Sequence, residues 1–302
     1  MIKIIKSLFS GFQKDNIIRL SVKNLDDLKY FNTAKQIFIY FQNENYKLKL
    51  VGGCVRKLIT EEKIDDMDIA INIEPEKIKK VLVEQKIKFV ETGITHGTIT
   101  VLINDFKFEI TSLRKDLSTD GRHAKVEFTS NWEQDAQRRD FTINAMAMDI
   151  LPKNFGDLHD PLGGITDLKK KQLRTPLDPD VTFSDDPLRM IRAAYFSAKL
   201  GFILTEECLT SMKNQAGRIT IVSWERITTE LKKILKTRKP SIGLSILQDT
   251  DLMKHVFPEV SVMYGMEQVK EWHHKDIFYH TLQVVDNAAE LSDKMAVRFA
   301  AL

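Results

Sequence analysis

Residues 50–72 read LVGGCVRKLITEEKIDDMDIAIN, and the order of residue types in this stretch decides how the first half of the chain folds. Tyr46 to Val51 has the pattern of a strand, Gly52 and Gly53 break it, and Val55 to Ile59 make a short helix. Apolar and polar residues then alternate from Met67 to Ile73. Met67, Ile69, Ile71 and Ile73 fall on one face of a strand, and Asp66, Asp68, Ala70 and Asn72 on the other. Working outward, Glu76 to Gln85 reads as a helix. Thr98 to Ile103 and Phe106 to Ile110 read as two strands joined by a tight turn at Asn104 and Asp105. Arg114 to Gln137 is polar and rich in turn formers, and a mobile loop is expected there.

The alternation puts Asp66 and Asp68 on one side of their strand. Two carboxylates so close repel each other, and a cation between them removes the penalty. Hard divalent ions take several oxygen ligands, commonly one or two carboxylates together with substrate phosphates. Glu109 points away from the Phe106, Phe108 and Ile110 face of its own strand and supplies a third acidic group. Three carboxylates on neighbouring strands can hold two metals for in-line attack on phosphorus. A lone Asp-x-Asp is more often a solvated turn, so the neighbouring Gly52-Gly53 matters: backbone without side chains can bring its N–H groups up to a phosphate. A simple tight turn is the plainer reading of those glycines.

After Asp160 the periodicity becomes helical. Ser184 and Asp185 followed by Pro187 are expected to start a helix that stops at Gly201, with Leu188, Ile191, Tyr195 and Ala198 as its apolar stripe. Further helices are expected over Glu206 to Gln215, Ser223 to Lys236 and Ser241 to Thr250. Asp186 and Arg189, three residues apart on the expected helix, share a face, and a local ion pair is the simplest use of them. Arg192 lies one turn further on. Arg138 and Arg139 read either as a surface basic pair or as forked donors for a polyphosphate.

The chain has 302 residues, enough for two or three domains. Hydrophobic residues make up 43% and charged residues 29%, with a formal net charge of +3, which by itself does not announce a nucleic-acid partner. Residues 151–240 hold 16 Lys and Arg against 11 Asp and Glu, giving +5 there and −2 over the rest. This suits RNA held by one part and chemistry done in another; a lysine-rich helical surface explains it equally well. Cys54 and Cys208 are far apart and in no Cys-x-x-Cys pair, which argues against a disulfide framework or structural zinc and for a reducing cytoplasm. The first sixteen residues are expected to form a short amphipathic helix, not a signal peptide, and no stretch is long enough to span a membrane.

The opening stretch, continued by RRDFTINAMAMDI, DPLGGITDL, DDPLRMIRAAYFSAKLGF and SWERITTEL in that order, resembles the nucleotidyltransferase superfamily related to DNA polymerase β. More narrowly it resembles the class II branch of bacterial CCA-adding enzymes and poly(A) polymerases, from about Leu50 to the end. The resemblance implies an α+β fold: a palm-like head with a mixed sheet and helices, then an all-α neck and body. It implies boundaries at 1–30 (an N-terminal extension), 31–160 (the head), 161–265 (a helical RNA-binding neck) and 266–302. It implies magnesium on Asp66 and Asp68, with Glu109 as the third acidic position. Gly52, Gly53, Arg56, Arg138, Arg139, Asp140 and Asn144 would handle ribose and triphosphate. Asp186 and Arg189, supported by Arg192, would read the incoming base, since cytosine and adenine both offer an amino donor beside a ring-nitrogen acceptor.

The implied activity is template-independent addition of CCA to the tRNA 3′ end from CTP and ATP by two-metal phosphoryl transfer. Poly(A) synthesis and CC-only or A-only addition are the neighbouring alternatives. Thr95-His96-Gly97-Thr98 and the full-length 114–137 segment favour CCA addition. Two departures stand out: Lys57 follows Arg56 where the family usually has Asp, and Asp185 precedes Asp186 where it usually has Glu. The residues from Trp272 to Thr281 resemble the start of an HD-type phosphohydrolase domain with His280 as its first ligand. The chain stops at Leu302, ahead of the His-Asp pair such a domain needs, so a shortened chain is expected. An HD-type phosphohydrolase or an inactive RNA-binding protein are the readings from other classes.

Overall fold

A computed structural model describes residues 25–43, 46–64, 66–94, 97–119, 124–149, 157–266 and 276–302. The expected N-terminal helix, Thr95, His96 and residues 272–275 lie outside these. The chain divides into two compact units: residues up to 165 form the first and residues from 166 the second, except that 118–125 group with the second.

The first unit begins with helix α1 (Leu25–Asn43), which the periodicity had not marked, and then strand β1 (Leu48–Val51). Helix α2 (Gly53–Ile59), strand β2 (Asp68–Ile71), helix α3 (Pro75–Glu84), and strands β3 (Lys88–Gly93), β4 (Thr98–Ile103) and β5 (Phe106–Ser112) follow. Asn104 and Asp105 both have positive φ, 50° and 66°, the geometry a two-residue hairpin turn demands. The 114–137 segment is not a loop. It contains strands β6 (Arg114–Thr119) and β7 (Ala124–Phe128), which pair as a separate ribbon, and helix α4 (Trp132–Gln137). Only Ala124, Val126 and Phe128 alternate in that stretch, and the partner strand RKDLST has one apolar residue, too little to register as a strand pattern. Asn131 caps α4, its side-chain oxygen accepting from the Glu133 and Gln134 N–H groups.

Strands β8 (Ala147–Met148) and β9 (Leu158–His159) complete a seven-stranded mixed sheet in the order β3-β4-β5-β2-β1-β8-β9. Only β2 and β5 run parallel; the other pairs are antiparallel. Helix α1 packs against β1 and β5 and buries Phe31, Ile37, Phe38 and Phe41 completely or nearly so. The β2 strand is shorter than its alternation suggested. Ile69 and Ile71 are fully buried as expected, but so is Ala70 on the opposite face, which joins Val51, Leu113 and Ala147 under Trp132. Asp68 therefore sits where a two-sided core ends.

The second unit is helical. Helix α5 (Gly164–Lys170), whose first two residues close the first unit, leads to strand β10 (Gln172–Leu173), helices α6 (Pro179–Asp185) and α7 (Leu188–Leu200), and strand β11 (Ile203–Leu204), which pairs with β10. Then come α8 (Glu206–Gln215), α9 (Trp224–Leu235), α10 (Pro240–Asp249), α11 (Met253–Val256), α12 (Pro258–Ser261), α13 (Ile277–Leu291) and α14 (Met295–Ala300). Helix α7 ends at Gly201 with φ +67°, as the sequence indicated. Its start differs: Ser184 and Asp185 finish α6, and Asp186 lies between the helices in extended backbone. Among the described residues, no helix is long and apolar enough to cross a membrane, and Cys54 and Cys208 are both buried and free.

Candidate active site

The strand-to-helix turn organises the first unit's charged groups. Gly52 has φ +75°, a conformation that favours glycine, and a Cβ there would lie 3.4 Å from Arg139 Nη1 and 3.7 Å from Asp68 Oδ2. The missing side chain lets a guanidinium and a carboxylate converge on the turn. Asp68 heads β2 in direct register with Glu109 on the parallel β5. Burial, then Asp66 and then Glu109 push the Asp68 carboxyl up to about 6, against the pull of Arg139 and Lys57. Asp66, just before the strand, is exposed at its carboxylate and forms an ion pair with Lys57 Nζ at 3.1 Å.

Among the described residues, no three His, Cys, Asp or Glu side chains are grouped closely enough to hold a metal by themselves. The donor set nonetheless fits a hard divalent ion that completes its shell with substrate phosphates: two carboxylates, one with its pKa raised by burial and then by like charge, beside a glycine turn.

Tyr30 of α1 steadies this edge. Its hydroxyl accepts from the Met67 N–H at 3.0 Å and donates to Lys107 O at 3.3 Å, tying the segment that carries Asp66 and Asp68 to β5. Its ring stands 4.9 Å from both Phe106 and Phe108. Nothing in the local pattern around Tyr30 announced this role.

The arginines are held by a residue the sequence reading passed over. Asp135 on α4 is 3% exposed. Its Oδ1 accepts from Arg138 Nε at 2.9 Å and Nη2 at 2.6 Å, and its Oδ2 from Arg139 Nε at 3.2 Å and Nη2 at 2.8 Å. Burial alone would raise the Asp135 carboxyl, but Arg139 and Arg138 outweigh it and hold it below the usual carboxylate range. Burial lowers Arg138 to about 10, with Asp135 opposing.

Behind them Asp140 Oδ1 accepts from Asn144 Nδ2 at 3.1 Å and from the Phe141 N–H at 2.8 Å. Asn144 Oδ1 in turn accepts from Arg56 Nη1. Arg56 is 2% exposed, and its Nη2 lies 3.8 Å from where a Cβ of Gly53 would stand. Gly164 presses against the same short turn (Thr142–Asn144), where a Cβ would collide with Thr142 O.

In the second unit, Asp186 and Arg189 do not share a helical face, because Asp186 precedes α7. The Asp186 carboxylate accepts from the Leu188 N–H at 3.3 Å and pairs with Arg226 of α9 at 3.0 Å, not with Arg189. Arg189 Nη1 donates to Thr182 O at 3.3 Å. Arg192 meets the buried Glu230 of α9 at 3.6 Å and lies over the Phe196 ring. Arg226 and Glu230 both come from the SWERITTEL motif, and only the fold brings them to Asp186 and Arg192.

Residues 48–174 match the family described as "Poly A polymerase head domain", and residues 201–263 match "Probable RNA and SrmB- binding site of polymerase A". The chain is 36% identical over 228 residues to the CCA-adding enzyme of Leuconostoc citreum, covering 75% of this chain and 55% of that enzyme. The chain belongs to the CCA-adding enzyme and poly(A) polymerase family of nucleotidyltransferases.

Human mitochondrial CCA tRNA nucleotidyltransferase 1 is 35% identical over 226 residues, 74% of this chain and 51% of that protein. The fold is likewise similar to the crystal structure of the Bacillus stearothermophilus CCA-adding enzyme in complex with CTP: TM-score 0.67 at 32% identity, over 74% of this chain and 52% of that one. This family member thus spans about half the length of the curated relatives it matches. CCA-adding nucleotidyltransferases generally use a divalent metal.

Proposed function

We propose that this chain carries the catalytic head and RNA-binding neck of a CCA-adding enzyme, which extends the 3′ end of tRNA from CTP and ATP in the cytoplasm with magnesium. The observation that carries the reading is the convergence of Asp68 and Arg139 over Gly52, with Glu109 in register beside Asp68. A negative pocket next to a positive clamp is what a nucleoside triphosphate with its metal requires. The matched family segments and the relatives' names support the same reading.

In this account Asp66 and Asp68 would hold magnesium, with Glu109 beside them. When bound, the metal supplies charge neutralisation at the attacked phosphate and the leaving pyrophosphate. The chain's own groups do the remainder. Arg138 and Arg139 keep a fixed orientation through Asp135 and meet the triphosphate with their guanidinium groups. Asp140 and Asn144 face the sugar. Asp186 accepts from the exocyclic amino group of C or A while Arg189 donates to the adjacent ring nitrogen, an order that U and G reverse. Residues 31–160 serve as the head, 161–265 as the neck, and 266–302 begin an HD-like helical domain.

The test is labelled-nucleotide incorporation into tRNAs ending before CCA, after C and after CC, with CTP, ATP, UTP or GTP. Two Cs and one A, followed by arrest, establish CCA addition. A long A tail identifies a poly(A) polymerase, and arrest after CC or addition of A alone identifies a partial enzyme.

A further inference from the structure

Lys57 is the feature of this site that metal binding and nucleotide binding leave unexplained. It sits at the last turn of α2, 8% exposed, with its stem in the core and its ammonium 3.1 Å from Asp66 Oδ1. The Asp66 carboxylate is 69% exposed, so the pair is asymmetric: a buried cation reaches out to an exposed anion. A buried ammonium carries a desolvation cost that this one carboxylate helps offset. Its field also extends to Asp68, the neighbouring acidic group.

We infer that Lys57 fills the place of a cation in the nucleotide-free site and opposes loading of a free divalent ion, so that the metal binds tightly only together with a nucleoside triphosphate. The inference rests on the proposed metal role of Asp66 and Asp68. Asp68 feels the carboxylates of Asp66 and Glu109 against the cations Arg139 and Lys57, and Lys57 pairs directly with Asp66, so an entering ion meets cations among its prospective ligands. A divalent ion feels the repulsion of Lys57 twice over, because the Coulomb energy scales with its charge. Lys57 also occupies one of the two Asp66 oxygens. A triphosphate brings several negative charges, reverses the local balance, and gives the ammonium another anion to contact.

The experiment is manganese binding to the whole chain without nucleotide, read by electron paramagnetic resonance of free Mn²⁺ and by calorimetry. The variants are Lys57→Met, which keeps the buried stem without the charge, and Lys57→Arg, which keeps the charge. Lys57→Met is expected to tighten Mn²⁺ binding by about tenfold, with Lys57→Arg close to the parent protein. With a non-hydrolysable CTP analogue present, the gap between parent and Lys57→Met is expected to close. Equal or weaker Mn²⁺ binding by Lys57→Met overturns the inference while leaving the metal site standing. Absence of Mn²⁺ binding in parent and variants, with and without the analogue, overturns the inference and the metal reading together.

Discussion

In the first unit the Asp135 carboxylate, 4% exposed, is gripped by two guanidinium groups that are themselves 16% and 19% exposed. In the second unit Asp186 meets Arg226 across a pair whose side chains are 27% and 42% exposed. The same two chemical groups thus have opposite consequences. Breaking a buried pair strands a charge in low dielectric and costs about 3–5 kcal/mol, whereas a solvent-exposed pair is worth about 0–1 kcal/mol. The arginines proposed to meet triphosphate, a group every nucleotide shares, are locked. The aspartate proposed to read the base is lightly tied, and a base edge can replace its partner at small cost.

The contrast can be broken from either side. The largest expected effect is at Asp68 of the first unit. Asp68→Asn should lower nucleotide transfer by about a thousandfold or more with an unchanged circular dichroism spectrum; retained activity would remove Asp68 from the site. The same change should alter the pH dependence of stability. Because the folded Asp68 carboxyl is raised to about 6, its protonation stabilises the metal-free fold below about pH 4, and that contribution is lost as pH rises through 6. Urea midpoints of the metal-free parent should carry this loss between pH 4 and 7, and those of Asp68→Asn should lack it.

Next, Asp135→Ala should cost about 3–5 kcal/mol in urea unfolding, because it leaves Arg138 and Arg139 buried without their shared acceptor. A cost below 1 kcal/mol would mean the clamp is not under the strain of burial. Smallest on stability, Arg226→Ala should change it by less than about 1 kcal/mol. Asp186→Ala should be similarly mild for folding yet reduce discrimination against UTP and GTP by about tenfold. Unchanged rejection of those nucleotides in primer extension would take base reading away from Asp186.

What the sequence disclosed follows the range of the forces involved. The Gly52 turn, the β4–β5 hairpin at Asn104-Asp105 and the Gly201 helix stop are set by a few adjacent residues, so they were legible. The pairing of Asp68 with Glu109 was legible because strand alternation orients their side chains and β2 runs in register with β5, whereas Asp66 lies just before β2, outside the strand that alternation had assigned it. Asp135 was not, because a polar residue in a polar stretch gives no periodic signal. Tyr30 lies 37 residues from Met67 and Arg226 lies 40 from Asp186, and only packing brings either pair together. Asp186 was placed on the helix because the sequence around Pro187 looks like a single helix start, whereas α6 ends there and α7 begins anew.

The central claim is metal-dependent nucleotide transfer by the first unit's carboxylates, and its most direct test follows labelled CTP and released pyrophosphate on a tRNA lacking CCA. With magnesium, the account predicts one pyrophosphate per nucleotide added, and neither product once the metal is chelated. Incorporation undiminished by chelation, or none at all with magnesium in excess, would contradict it.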